Sequence, residues 1–129
     1  MTTKYFNKIN SNKNIIENAQ NTISYIKDMT NFGYDTADEI LNDLYDEISE
    51  LKIEIEQNNI EKIESEIGDV AFVLCSLANK YKINLDAALK HSITEYQDRI
   101  KYIEDKTSAE NLNAESIKCL WYEAKHRNK

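Results

Sequence analysis

Two stretches decide the fold: residues 44–51, LYDEISEL, and residues 64–72, ESEIGDVAF. In both, apolar residues return at steps of three and four, which places them on one face of an α-helix. Few residues in or around these stretches break helices, because the chain has no proline and only two glycines among its 129 residues. We therefore predict two consecutive amphipathic helices at the centre of the chain.

Each of these helices carries a pair of acidic residues three positions apart, Glu47 with Glu50 and Glu66 with Asp69. This spacing puts both carboxylates of a pair on one side of a helix, one turn apart. Two facing pairs would gather four oxygen donors, which are the usual ligands of Mg²⁺ and Mn²⁺. The pattern predicts a metal site between the helices. The spacing alone also fits the solvated edges of acidic helices.

The same periodicity extends over the rest of the chain and predicts an all-α, antiparallel bundle of four to five helices. We predict helices at residues 15–29, 37–57, 60–81 and 85–106, with a fifth helix or an extended tail at 114–126. Gly33 marks the clearest loop, at residues 30–36, and two asparagines at 58–59 form a short connection. We expect one domain over residues 1–129, with residues 1–14 as a flexible arm.

Charge and composition narrow the classes of function. The net charge of −7, from 23 acidic and 16 basic side chains, repels nucleic-acid backbones, so we expect no nucleic-acid partner. We find no secretion signal and no apolar run of membrane-spanning length, so we expect no membrane partner. The two cysteines, Cys75 and Cys119, are too few for a disulfide framework. These features predict a cytoplasmic protein.

Several motifs, taken in order, resemble the MazG-like nucleoside triphosphate pyrophosphohydrolases, which are all-α enzymes. The likeness covers about residues 15–126. It rests on the two stretches quoted above and on four further segments: FGYD at 32–35, INLDAAL at 83–89, YQDRIKYIE at 96–104 and LWYEAK at 120–125.

The resemblance implies hydrolysis of a nucleoside triphosphate between its α and β phosphates, giving a monophosphate and pyrophosphate. It implies that Glu47, Glu50, Glu66 and Asp69 bind Mg²⁺, with Mn²⁺ as a substitute. Glu47 and Glu50 are the catalytic candidates, and Glu50 is one candidate for orienting the attacking water or accepting its proton. It also implies assembly as a homodimer or homotetramer in which neighbouring subunits share sites.

The resemblance further assigns substrate contacts to Arg99, Trp121 and Lys125. The guanidinium of Arg99 would bind the polyphosphate, while Trp121 and Lys125 would help close the site over the nucleotide. Without the resemblance, Arg99 would be expected to pair with Glu95 or Glu104 on its own helix. A packing role for Trp121 is equally consistent with its periodicity.

The chain departs from the family pattern at three positions. Many relatives carry a lysine where this chain has Asp43, and an asparagine and a lysine where it has Ile93 and Glu95. The two acids, Asp43 and Glu95, repel a polyphosphate. Three explanations stay open: other cations compensate, with Lys90, Lys101 and Lys125 available, or the substrate differs, or catalysis has decayed. Two alternatives to an active enzyme are a catalytically weakened MazG-like module that binds nucleotides or regulates, and an acidic helical interaction protein unrelated to nucleotides.

Overall fold

The computed structural model describes residues 14–107 and 113–127. The described residues form five helices: α1 (Ile15–Thr30), α2 (Ala37–Glu56), α3 (Ile60–Lys80), α4 (Leu85–Lys106) and α5 (Ala114–His126). Each predicted helix is present and ends within one residue of its predicted bound, and the segment predicted as helix or tail is a helix. The all-α fold class is confirmed.

Asparagine provides many of the signals that begin and end these helices. Side chains of Asn14, Thr36, Asn59 and Asn113 accept hydrogen bonds from backbone N–H groups at the first turns of α1, α2, α3 and α5. Asn31 and Asn58 follow α1 and α2 with φ angles of 61° and 56°, in the left-handed region that ends a helix. Asn14 therefore caps α1, and the rest of the predicted arm lies outside the described residues.

Contacts between residues divide the chain into two units, Met1–Asp86 and Ala87–Lys129. In the first unit, α2 packs along α3, and α1 packs against α3. The three-residue connection between α2 and α3 makes this pair an antiparallel hairpin. Its core consists of Ile40, Val73, Cys75 and Ala78. The prediction of a single domain stays a prediction.

A buried amide, Gln20, links α1 to α3 and to the connection that leads into α4. Its Nε2 donates to Asn79 Oδ1 at 2.9 Å and to the carbonyl of Ile83 at 2.8 Å, while its Oε1 accepts from the backbone N–H of Leu85 at 2.9 Å. Asn79 Nδ2 returns a bond to the carbonyl of Gln20. Because every polar atom of Gln20 has a partner, burial does not leave an unsatisfied group.

In the second unit, α4 and α5 bury Ile103 and Ala124. Tyr102 on α4 donates to Glu123 Oε1 on α5 at 2.7 Å, and this hydrogen bond raises the pKa of Tyr102. The guanidinium of Arg127 lies 4.5 Å from the centre of the Tyr102 ring. Within the described part of the chain, every helix is too short or too polar to cross a bilayer.

Candidate metal centre

Three carboxylates of the paired helices converge on one small space. Oxygen atoms of Glu47 on α2 and of Glu66 and Asp69 on α3 lie within 4.8 Å of one another. Glu47 and Glu66 are half-buried, whereas Asp69 is exposed. The antiparallel packing of α2 on α3 thus brings together three of the four acids that the sequence singled out.

Glu50 is the fourth acid, and it lies outside this group. Its side chain is exposed, although its charge is close enough to raise the pKa of Glu47. Spacing along the helix does not account for this difference, because Glu66 and Asp69 are also three residues apart and both belong to the group.

The electrostatics of the group favour the binding of a cation. Burial, a hydrogen bond with Glu66 that requires a proton on one of the two carboxyls, and the charges of Glu50, Glu66 and Asp69 raise the pKa of Glu47 to about 7. The Oε2 atoms of Glu47 and Glu66 are enclosed and have no hydrogen-bond partner among the described residues. Enclosed carboxylate oxygens without partners are costly unless a cation satisfies them.

The donor set fits a hard divalent cation. Mg²⁺ and Mn²⁺ prefer carboxylate oxygens, and Mg²⁺ is usually held by a few carboxylates while water and substrate phosphates fill its remaining positions. Glu47, Glu66 and Asp69 supply such a partial set, with the exposed Asp69 on its open side.

Glu54 continues the same face of α2, seven residues beyond Glu47, and belongs to neither acidic pair. Its Oε2 atom is also enclosed and lacks a hydrogen-bond partner among the described residues. It is not one of the three grouped carboxylates. The spacing of seven residues predicts that Glu54 lies on the same helix face as Glu47, but it does not predict that the oxygen is enclosed.

A tyrosine that the sequence did not indicate stands beside the carboxylates. The hydroxyl of Tyr34, in the connection between α1 and α2, donates to Asp43 Oδ2. Asp43 lies one turn before Glu47 on α2. Burial, this hydrogen bond and the charges of Asp43 and Glu47 raise the pKa of Tyr34 to about 12. Asp43 therefore has a hydrogen-bond partner within this chain.

A cavity of about 860 Å³ adjoins the same tyrosine in the first unit. Its walls come from α1, the connection to α2, the first turn of α2, and α3, and they include Ile23, Phe32, Tyr34, Ile40, Phe72 and Lys80. Aromatic and aliphatic walls with a few polar groups are typical of small-molecule sites. Because Tyr34 lines the cavity and also bonds Asp43, the cavity lies next to the helix turns that carry the acids.

Two of the predicted substrate contacts, Arg99 and Trp121, already have partners within the second unit. The guanidinium of Arg99 lies 5.1 Å from the centre of the Trp121 ring and 3.6 Å from Glu95 Oε2. His91 Nε2 lies 2.7 Å from the other oxygen of Glu95, and Tyr96 packs against Trp121 at 5.3 Å between ring centres. Lys125 is exposed. The pairing of Arg99 with Glu95 and the packing of Trp121 are both present.

Comparison with known protein families gives one match, the MazG nucleotide pyrophosphohydrolase domain, over residues 35–103. This stretch is more than half of the chain. It contains both acidic pairs, Asp43 and Arg99, and ends before Trp121 and Lys125. No curated protein matches the chain in sequence.

Proposed function

Because the chain belongs to the MazG nucleotide pyrophosphohydrolase family, we propose that it is a Mg²⁺-dependent nucleoside triphosphate pyrophosphohydrolase. The reaction would cleave the bond between the α-phosphorus and the oxygen that bridges to the β-phosphate. The observation that carries this proposal is the meeting of three carboxylates with two enclosed, unpartnered oxygens on adjacent helices. Such a group needs a cation, and a bound cation in turn attracts a polyphosphate.

In this mechanism, Glu47, Glu66 and Asp69 hold the ion. A bound divalent ion offsets phosphate charge and lowers the pKa of water, which favours attack on the α-phosphorus. Glu50, at the edge of the group, orients the water and accepts its proton. The water oxygen bonds to the α-phosphorus, and the bridging oxygen leaves with pyrophosphate.

The cavity beside Tyr34 supports a nucleoside as the rest of the substrate. Its volume of about 860 Å³ is within the range of ordinary small-molecule sites. Phe32 and Phe72 provide aromatic surface against which a base can pack. We propose that the cavity receives the nucleoside while the phosphates lie at the carboxylates.

We also propose Arg99, Trp121 and Lys125 as substrate contacts, on the basis of the family resemblance. The half-buried guanidinium of Arg99 is held in place by the Trp121 ring, so its fork is preorganised for phosphate oxygens. The pairing with Glu95 is exposed and at 3.6 Å is weak enough to be replaced by a phosphate.

The alternative of a weakened module is favoured by the acids at positions 43 and 95, where relatives carry lysines. A panel of canonical and modified triphosphates, assayed for pyrophosphate release with Mg²⁺ and with Mn²⁺, separates the two functions. We expect release from at least one substrate, and loss of release in Asp69→Asn. Glu64→Gln is the matched control, because Glu64 is an exposed acid on α3 outside the group. Binding of every triphosphate without release would favour the module.

We further propose a cytoplasmic homodimer or homotetramer. Large apolar side chains of α2 and α3 are about half exposed within one chain, among them Ile48, Ile55, Ile67 and Phe72. Exposed apolar surface on this scale is typical of an interface. We expect a mass in solution of at least twice the chain mass of 15.0 kDa, measured by light scattering. A monomer at micromolar concentration would contradict this assembly.

A further inference from the structure

We propose that Tyr34 is a positioning residue for substrate binding, acting through its hydrogen bond to Asp43. This inference rests on the proposed function. It concerns a pair of residues that lies outside the three grouped carboxylates.

The connection between α1 and α2 is fastened to all three helices of its unit. Lys27 Nζ on α1 lies 2.9 Å from Asp35 Oδ1, and Lys80 Nζ on α3 donates to the carbonyl of Asp35 at 2.8 Å. Tyr34 supplies the link to α2 through Asp43. Gly33, with a φ angle of 144°, lets the chain turn into this arrangement. The segment that walls the cavity is therefore fixed to the helix that carries Glu47.

The hydrogen bond from Tyr34 also fixes the position of the charged Asp43 side chain beside the three grouped carboxylates. Asp43 and Glu47 lie one turn apart on α2, so a free Asp43 carboxylate could turn towards an incoming polyphosphate and repel it. The Tyr34 hydroxyl takes one oxygen of Asp43 and directs the group towards the connection. With a pKa of about 12, Tyr34 keeps its proton and stays a donor throughout the neutral range.

Loss of the hydroxyl should therefore weaken substrate binding more than it slows chemistry. In Tyr34→Phe the Asp43 carboxylate is released and the cavity wall loses its link to α2. We expect KM for a triphosphate to rise about three- to tenfold, while kcat changes less than about twofold. Amide hydrogen exchange of residues 31–36 should also become faster.

The test compares wild type, Tyr34→Phe, Asp43→Asn and the double variant, with Tyr45→Phe as the matched control. Tyr45 is an exposed tyrosine of α2, and its variant should keep the wild-type KM. If Tyr34 acts through Asp43, the double variant should regain part of the lost affinity, because the released side chain is then uncharged. Thermal unfolding establishes that each variant is folded.

Two results overturn the inference while leaving the proposed function intact: an unchanged KM in Tyr34→Phe, or a double variant as impaired as Tyr34→Phe. If wild type releases no pyrophosphate, the proposed function fails by itself. The inference is then decided by the affinity of each variant for Mg²⁺ and a nonhydrolysable triphosphate. Equal affinities in wild type and Tyr34→Phe, or no binding at all, overturn it.

Discussion

The three grouped carboxylates of α2 and α3 and the aromatic patch of α4 and α5 (Tyr96, Tyr102 and Trp121) differ in how their charges are arranged. In the first, like charges are gathered and partly enclosed, and two oxygens of the group have no hydrogen-bond partner among the described residues. In the second, Arg99 is stacked on Trp121 and paired with Glu95, and Glu123 accepts from Tyr102. The first arrangement is costly without a cation, whereas the second is stable as it stands.

The contrast shows that the carboxylates are evidence for a ligand, whereas the aromatic patch is only compatible with one. The enclosed oxygens of Glu47 and Glu66 have no hydrogen-bond partner among the described residues, and a bound cation would satisfy them. Arg99 has partners already, so its assignment to substrate depends on the family. The experiments below perturb one region or the other and differ in the size of effect that they should produce.

The largest effect is expected from Glu47→Gln. The amide keeps the shape of the side chain but removes a charged metal ligand, so pyrophosphate release should fall about a hundredfold or more. In the absence of metal the same variant should unfold at a higher temperature than wild type, because one repelling charge is gone. Activity assays and thermal unfolding with chelator measure the two effects. Full activity in Glu47→Gln would show that this region holds no essential ion.

The pKa of Glu47 makes the metal affinity depend on pH. A carboxyl with a pKa of about 7 must lose its proton before it binds an ion. Apparent Mg²⁺ affinity should therefore fall up to about tenfold per pH unit below 7 and level off above about pH 8. Titration calorimetry at pH 6, 7 and 8 measures this slope. The slope should disappear in Glu47→Gln, and a flat profile in wild type would contradict the shift.

The same shift predicts how the metal-free protein responds to pH. The folded-state pKa of Glu47 lies above its ordinary value of 4.5, so the folded state binds the proton more tightly than the unfolded state. This contribution to stability is present at low pH and is lost as the pH rises through 7. Added Mg²⁺ should therefore raise the unfolding temperature more at pH 8 than at pH 6.

Much of this architecture follows from local sequence. Apolar periodicity and asparagine caps act within one or two turns, so they fix each helix and its ends before any packing is known. The acidic pairs lie on the sides of the helices that pack together, so their meeting could also be anticipated. Glu50 shows the limit of that argument, because spacing gives a shared side but not which of two neighbours points inward.

The features that local patterns miss depend on the path of the chain in three dimensions. Tyr34 reaches Asp43 only because the connection between α1 and α2 folds back over α2. Gln20 reads as a polar surface residue, yet it is buried because Asn79 and two backbone groups near the start of α4 satisfy it. Tyr96 falls in step with Ile93 and Ile100 in the apolar pattern of α4, yet it is 57% exposed and packs on Trp121.

A moderate effect is expected in the aromatic patch. Arg99→Gln keeps much of the side-chain bulk and removes the charge, so KM for a triphosphate should rise about tenfold with a smaller change in kcat. The matched control is Arg127→Gln, because Arg127 also stacks on an aromatic ring in the same unit but has no predicted role. Equal KM values for wild type and Arg99→Gln would leave Arg99 with only its pairing to Glu95 and Trp121.

The smallest effect concerns Gly68, beside Asp69 on α3. A glycine within a helix can mark the close approach of a neighbouring backbone or a ligand, but a methyl group added at Gly68 meets no described atom within 4 Å outside its own stretch of helix. The neighbouring-backbone explanation is therefore wrong for the described part of the chain. With open space around it, Gly68→Ala should raise the free energy of unfolding by about 0.5–1 kcal/mol, since alanine favours the helix. Denaturant unfolding of metal-free protein, with substrate kinetics alongside, measures the change.

Greater stability with unchanged kinetics shows that the space beside Asp69 stays empty during turnover. Greater stability with a raised KM shows that substrate approaches α3 at Gly68. The ligand-binding region then extends by one turn beyond the three grouped carboxylates. Lower stability shows that something already packs on this face, and a second subunit is then the first candidate to examine.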